Sequence, residues 1–354
     1  MRISYIAAVL VTAVVGTVGV GATVFGASPV NAPSFRAHSA TLHVHSATLR
    51  NMIMSRSGIP EAPIPRLPVA GLGEAYDLPK LSDNSRLFAQ LKPVVAMPEA
   101  STGNPSLPPL KWVGLLVVPH PTPQDPHQIK TCTAQFISAT VLLTAAHCLK
   151  DLPADPMGPW PDVTKGTFWL QYQNDEGTPF KIVCGATNPK WTLPAEYTVM
   201  TPSQQKVAMN AAWQHDFAMI LVEGKSPTGA MRYALDWKGK MHEAVRVGYP
   251  HAILGSAIVQ QVPGTVFFAD QIQMDPDLLP NIVVQWGPLT DFTRGSSGGA
   301  WIANFSTTDG PNNNVLIAVT SFYYTDMFPG AMFAAYLTST EFNPMLTSVT
   351  NGCK

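Results

Sequence analysis

A histidine, an aspartate and a serine each stand where a side chain could be fixed for acid–base and nucleophilic work. His147 ends the segment Thr144-Ala145-Ala146-His147-Cys148, directly after the apolar run Val141-Leu142-Leu143. A histidine at the end of a rigid strand is held in place, as a general base must be. Asp216 opens the run Phe217-Ala218-Met219-Ile220-Leu221-Val222, where burial costs a carboxylate heavily unless it finds a partner. An imidazole N–H is such a partner, and the carboxylate then fixes the tautomer and stabilises the imidazolium. Ser297 lies in Thr293-Arg294-Gly295-Ser296-Ser297-Gly298-Gly299-Ala300-Trp301. Glycines around a serine let the backbone approach a substrate and aim N–H groups at a developing oxyanion. Taken singly, each residue has a plainer reading: a structural histidine, an acid at a strand edge, a glycine–serine loop. Asp151, Asp155, Asp162 and Asp175 are weaker acid candidates because each lies in a Pro- or Gly-rich loop.

Order along the chain separates two chemistries. Gly295-x-Ser297-x-Gly299 also fits a strand-to-helix nucleophile elbow, but that arrangement needs its histidine after the serine. The last histidine is His251, so the elbow is excluded. The order here is His, Asp, Ser.

The elements that must position these residues read as strands. From Lys111 onward, short apolar runs are divided by Pro, Gly, Asn and Asp; examples are Trp112 to Val118, Phe168 to Leu170, Ile282 to Val284 and Val315 to Val319. Such runs predict a sandwich or barrel. With 33 prolines and 26 glycines in 354 residues, turns are favoured over long helices and the expected class is all-β. Ser203 to Ala212 is the one internal stretch expected to be helical, and no βαβ alternation suggests a parallel sheet. A 46% hydrophobic, 13% charged chain is globular. Its formal net charge of −1 gives no reason to expect nucleic acid or a strongly charged partner.

The three blocks together resemble the signature blocks of trypsin-like serine peptidases, and the likeness runs from about Lys111 to the C-terminus. The look is nearest to bacterial enzymes of the glutamyl-endopeptidase (V8-like) type, to which Asp236-Trp237 followed by Val247-Gly248-Tyr249-Pro250 is similar. The resemblance implies two six-stranded antiparallel β-barrels, about 111–225 and 240–345, with the site between them. It implies Ser297 as nucleophile, His147 as base and then acid, Asp216 as orienter, and the N–H groups of Gly295 and Ser297 as oxyanion hole. Val319-Thr320-Ser321-Phe322-Tyr323 resembles the strand that borders the specificity pocket and pairs with substrate backbone, which gives Ser321, Phe322 and Tyr323 a substrate-binding role. Asp291 stands six residues before Ser297, where trypsins place the acid that attracts Lys or Arg. Glutamyl enzymes carry a histidine just before the pocket-strand serine; here it is Thr320, so Glu specificity is unsupported. Ser296 replaces the Asp that receives a freed amine in animal trypsins, so that activation switch is absent. Protein or peptide substrates are expected as partners, with no metal and no cofactor. The turns at Asp275-Pro276-Asp277 and Asp309 to Asn314 lack the ligand count of a calcium loop.

Two segments precede this domain. Residues 1–32 start with Met1-Arg2 and continue almost wholly apolar to a small-residue stretch near Val30-Asn31-Ala32, a signal peptide or, alternatively, a membrane anchor. Either places the bulk of the chain outside the cytoplasm, secreted or periplasmic. Residues 33–110 are proline-rich, a pro-segment or linker, and contain a direct repeat, His38-Ser39-Ala40-Thr41-Leu42 and His45-Ser46-Ala47-Thr48-Leu49. His38, His43 and His45 read as part of a flexible segment rather than a metal site, since no scaffold holds them together. The four cysteines, Cys132, Cys148, Cys184 and Cys353, allow three pairings. Cys148 can close a loop back to Cys132; Cys184 and Cys353 are then left to each other, or free. Besides an active endopeptidase, two further functions remain open: a catalytically silent peptidase-like binding protein, and a narrow enzyme that processes its own pro-segment.

Overall fold

The computed structural model describes residues 35–37, 40–42, 101–121, 128–150, 152, 162–237, 242–250, 259–268, 282–286, 294–324 and 331–354. The chain divides into two units, Met1–Asn31 and Ala32–Lys354, and the first lies outside the described residues, as do Asp151, Asp155, Asp275, Asp277 and the histidines His38, His43 and His45.

Three short strands come from the proline-rich stretch: β1 (Phe35–Ala37), β2 (Ala40–Leu42) and β3 (Ser101–Thr102). The first barrel follows, with β4 (Val113–Pro119), β5 (Ile129–Phe136), β6 (Val141–Thr144), β7 (Thr167–Gln173), β8 (Glu176–Thr187) and β9 (Ala218–Val222). They pair in the order β5-β4-β7-β8-β9-β6, and β5–β6 pairing closes the ring. After β10 (Arg232–Tyr233), the second ring is built from β11 (His242–Gly248), β12 (Gln260–Phe268), β13 (Ile282–Trp286), β14 (Ala300–Ala303), β15 (Val315–Tyr324) and β16 (Ala331–Tyr336). Its order is β15-β14-β11-β12-β13-β16, closed by β15–β16. Both rings are antiparallel. The expected all-β class with two six-stranded barrels is what the chain adopts.

The period of two along each strand explains how the barrels meet. On β4, Leu116 and Val118 fill the first barrel while Val113, Leu115 and Val117 join a cluster with Val245, Val247, Ile302, Leu316 and Val319 of the second. β6 divides the same way, Leu142 inward and Val141 and Leu143 towards the second barrel. Inside the first barrel Phe136 packs edge-on against Phe168 and Phe180, with centroids 5.5 and 5.1 Å away. Gly114 allows β4 to lie this close, because a Cβ there would meet the Phe168 ring at 2.5 Å. The β7–β8 hairpin turns on Asn174 and Asp175, both at positive φ, as a two-residue turn that follows the strand twist requires.

Two helices occur among the described residues. α1 (Pro202–Trp213) begins with a full capping box between Thr201 and Gln204 and has proline in its first turn, one residue beyond the expected helix at each end. α2 (Ser339–Thr350) was not expected. Pro344 within it argues against a helix on propensity, yet Phe342, Met345 and Val349 are buried at helical spacing. Packing outweighs propensity there.

Two disulfides link Cys132 to Cys148 and Cys184 to Cys353. The second closes 169 residues and anchors the end of α2 to β8. On the chain-entropy estimate a loop of this length is worth up to about 5 kcal/mol. The Cys184→Ser, Cys353→Ser double variant is expected to lose most of that in urea denaturation, with β9 and its flanking aspartate the first part to loosen.

Candidate active site

The site forms where the two barrels touch. β6 ends at Thr144, whose hydroxyl donates to the Thr133 carbonyl at 2.8 Å, and the chain then makes a single 3-10 turn, Ala146–Cys148. That turn carries His147. The Cys132–Cys148 disulfide fixes it to β5, and Lys130 Nζ donates to the His147 carbonyl at 2.6 Å. Its ring lies edge-on to Trp213 at 5.7 Å and tilted to Trp191 at 6.5 Å. Cys132, His147 and Cys148 offer donor atoms within 4.8 Å of one another, but both sulfurs are bonded in the disulfide, so the grouping is not a metal-ligand set.

Asp216 follows α1 and immediately precedes β9, and it is fully buried. Three donors satisfy its carboxylate. The His147 backbone N–H reaches Oδ1 at 2.8 Å, His147 Nδ1 lies 2.7 Å from Oδ2, and the Ser321 hydroxyl donates to Oδ2. These contacts fix the imidazole with Nδ1 against the carboxylate and Nε2 facing away.

His215, next in sequence to Asp216, is tied to α2. Its Nδ1 lies 2.9 Å from Glu341 Oε2, and Asn188 Nδ2 and Lys190 Nζ donate to the same carboxylate at 2.7 and 2.8 Å. Burial pushes the Glu341 carboxyl up, but the hydrogen bonds from His215, Lys190 and Asn188 outweigh it and hold the group at about 2. A carboxyl lowered in the folded state adds stability above its unfolded value near ~4.3 and loses it as pH falls towards 2. Melting temperature is therefore expected to fall between about pH 4.5 and pH 2, and Glu341→Gln to be less stable at pH 7 with a shallower acid slope, as followed by thermal melts across that range.

Ser297 sits in the loop between β13 and β14. Gly295 and Gly298 take φ of +90° and +78°, the left-handed region that favours glycine. A Cβ on Gly298 would meet Thr144 Oγ1 at 2.2 Å and the Thr133 carbonyl at 2.5 Å. Thr133 brackets the loop from the first barrel. Its N–H donates to the Ser297 carbonyl at 2.8 Å, and its hydroxyl donates to the Gly295 carbonyl at 2.9 Å while accepting from the Tyr249 N–H at 2.9 Å. Gln135 Nε2 adds bonds to the Leu143 and Gly298 carbonyls. The Gly298 N–H bonds the Thr320 carbonyl and the Gly299 N–H that of Ser296. Among the described residues, no carbonyl accepts from the N–H of Gly295 or Ser297, the two groups expected to face an oxyanion.

Ser297 and His147 are 0% and 1% exposed, and among the described residues neither Ser297 Oγ nor His147 Nε2 has a hydrogen-bond partner. Asp216 and His147 are thus joined, while Ser297 and His147 share no hydrogen bond. Such bonds are often long without substrate and tighten when it binds. Ser321 is buried and its hydroxyl is spent on Asp216. Phe322 is buried against Phe333, stacked at 4.9 Å, and Trp213 at 5.1 Å; Tyr323 is half-buried. Asp291 lies outside the described residues. Thr133, Gln135, Lys130 and the two tryptophans were not foreseen, although Thr133 and Gln135 follow Cys132 at alternate positions of one buried strand.

No protein-family model matches the sequence, and no curated protein matches it. Solved structures do. Protease Anisep from Arthrobacter nicotinovorans is 17% identical over 71% of this chain and all of that one, at a TM-score of 0.49. A thermostable serine protease, AL20, from an extremophilic microorganism is 22% identical over 68% of this chain and 98% of its own, also at 0.49. A Glu endopeptidase is 14% identical over 73% and 99%, again at 0.49. These are likenesses of fold alone.

Proposed function

We propose that the protein is an exported serine endopeptidase that hydrolyses peptide bonds through an acyl-enzyme on Ser297. The observation that carries this reading is Asp216: a fully buried carboxylate spending both oxygens on His147 and one on Ser321. A buried ion of this kind is costly unless paired, and this pairing leaves His147 Nε2 as the group able to accept a proton. Ser297 Oγ adds to the scissile carbonyl while its proton passes to Nε2. The N–H groups of Gly295 and Ser297 receive the oxyanion. His147 then gives the proton to the leaving amine, and water repeats the sequence on the ester. Asp291, Ser321, Phe322 and Tyr323 border the substrate in this reading, Ser321 and Phe322 through their backbone because their side chains are buried. Residues 111–354 form the peptidase domain, 33–110 its pro-segment, and 1–32 the export signal or anchor. Two disulfides suit an extracytoplasmic location, and among the described residues no helix is long and apolar enough to cross a membrane.

The unjoined Ser297 and His147 favour one second reading, a peptidase-shaped binding protein. Incubating the protein with a pool of unfolded peptides and sequencing the products by mass spectrometry decides between them. New termini that are absent with the Ser297→Ala variant support the peptidase; an unchanged pool supports the binding protein.

A further inference from the structure

Val113, Leu115 and Val117 turn one face of β4 towards the second barrel, as Val141 and Leu143 do on β6. β5 lies between these strands. Residues directly opposite in an antiparallel pair share a face, and opposite Val113 and Leu115 stand Gln135 and Thr133, with Gln135 also opposite Leu143. Both are 0% exposed, so the middle strand of an aliphatic face carries an amide and a hydroxyl. Burying such groups is costly unless their hydrogen bonds are made. Where those bonds go therefore says what the polar residues are for.

They go to the loop that carries Ser297. Thr133 Oγ1 donates to the Gly295 carbonyl at 2.9 Å, the Thr133 N–H to the Ser297 carbonyl at 2.8 Å, and Gln135 Nε2 to the Gly298 carbonyl at 3.1 Å. The Ser296 carbonyl accepts from the Gly299 N–H at 2.9 Å. The carbonyls of residues 295 to 298 are thus all held, and β5 holds every one except that of Ser296. Gly248 leaves room for the clasp, because a Cβ there would lie 3.0 Å from Ser296 Cα and 3.1 Å from Thr133 Oγ1. The four bonds differ in kind. Those to Ser296 and Ser297 come from backbone N–H groups, which almost any residue supplies, but Gly295 depends on a side-chain hydroxyl. Gly295 sits at φ +90°, and glycine takes positive and negative φ about equally, so nothing in the residue itself keeps it there. The hydroxyl is aimed in turn: Thr133 Oγ1 accepts from the Tyr249 N–H at 2.9 Å, which leaves its one proton for the Gly295 carbonyl.

On the reading of Ser297 as nucleophile and of the Gly295 and Ser297 N–H groups as oxyanion donors, on which this inference rests, we propose that Thr133 is a positioning residue whose hydroxyl, by anchoring the Gly295 carbonyl, keeps the Gly295 N–H aimed at the oxyanion. Carbonyl and N–H are attached to the same Cα. With the carbonyl held, rotation at Gly295 is restricted; once it is released, the residue can turn and carry its N–H away from the site. Thr133 touches no reacting atom. Its effect falls on the step in which Ser297 Oγ bonds to the substrate carbonyl carbon and charge collects on the oxygen, when a donor already in place needs no reorganisation. The first barrel, which supplies His147 and Asp216, thereby also sets the oxyanion donors carried by the second.

The test compares mature parent protein with Thr133→Val, which keeps the branched shape and loses the hydroxyl, and with Thr133→Ser, which keeps the hydroxyl. Each is read by kcat and KM on a peptide substrate and by affinity for a peptide aldehyde of the same sequence. Ser297 Oγ bonds to the aldehyde carbon, the C=O π pair moves onto its oxygen and the serine proton passes to His147 Nε2, so the adduct's oxygen takes the oxyanion position. Thr133→Val is expected to lower kcat by about 10^2-fold, the scale of one lost oxyanion donor, with KM nearly unchanged and aldehyde affinity lowered by the same factor as kcat/KM. Thr133→Ser is expected to restore most of both. A Thr133→Val protein that melts earlier but keeps its kcat and its aldehyde affinity overturns the proposal, as does a lower kcat with aldehyde affinity unchanged, or a Thr133→Ser no better than Thr133→Val. If Thr133→Val does not fold, Thr133→Ala is read in the same way; if neither folds while Thr133→Ser does, the hydroxyl is structural and the positioning role is overturned. A folded parent that neither cuts the peptide nor binds the aldehyde overturns the peptidase reading itself, whereas an active parent with an equally active Thr133→Val overturns Thr133 alone.

Discussion

Ser297→Ala is expected to lower peptide hydrolysis by about 10^6-fold while leaving the fold intact or slightly stabilised. The kinetic loss follows from role: with the hydroxyl gone, His147 and Asp216 have no nucleophile to activate, and only binding and the oxyanion N–H groups remain. Stability follows from environment. Ser297 Oγ is buried and has no hydrogen-bond partner among the described residues, so removing it relieves an unsatisfied group and breaks no bond described there. Progress curves on a peptide substrate measure the first effect and thermal melts the second. A structural serine would give the opposite pair, a lower melting temperature with activity retained.

Asp216→Asn is expected to cost about 10^4-fold in kcat. The carboxylate accepts from the His147 N–H, from His147 Nδ1 and from Ser321. An amide has one accepting oxygen. Its NH2 must then face a donor or force Nδ1 to become an acceptor, which puts the imidazole proton on Nε2, where it can no longer receive the one from Ser297. The same substitution leaves a buried donor unpaired, a cost of about 1–3 kcal/mol. A drop in kcat with KM nearly unchanged, together with this lower stability, identifies Asp216 as orienting the base.

The pairing of His147 with Asp216 is legible because each sits at the end of an apolar strand, where a polar residue stands out and needs a partner. Ser297 was legible through its glycines, whose left-handed φ at 295 and 298 the loop does require. The role of Ser321 was not. A serine in a strand reads as facing one side or the other, and nothing local says that a carboxylate from the other barrel waits there. Thr133 is hidden for the same reason: its three bonds join segments more than 100 residues apart. α2 is hard to read locally because Pro344 lies inside it, although Phe342, Met345 and Val349 recur at helical spacing. The direct repeat at His38 and His45 was visible, but three-residue strands have too few positions to show a period. Only their partners on β15 and β5 reveal them.

The most direct test of the central claim is the reaction of mature protein, and of its Ser297→Ala variant, with an active-site-directed serine reagent, read by intact mass. The account predicts one adduct per chain on the parent, located at Ser297, and none on the variant. A folded, processed parent that gains no adduct, or an adduct that persists when Ser297 is replaced, would contradict it.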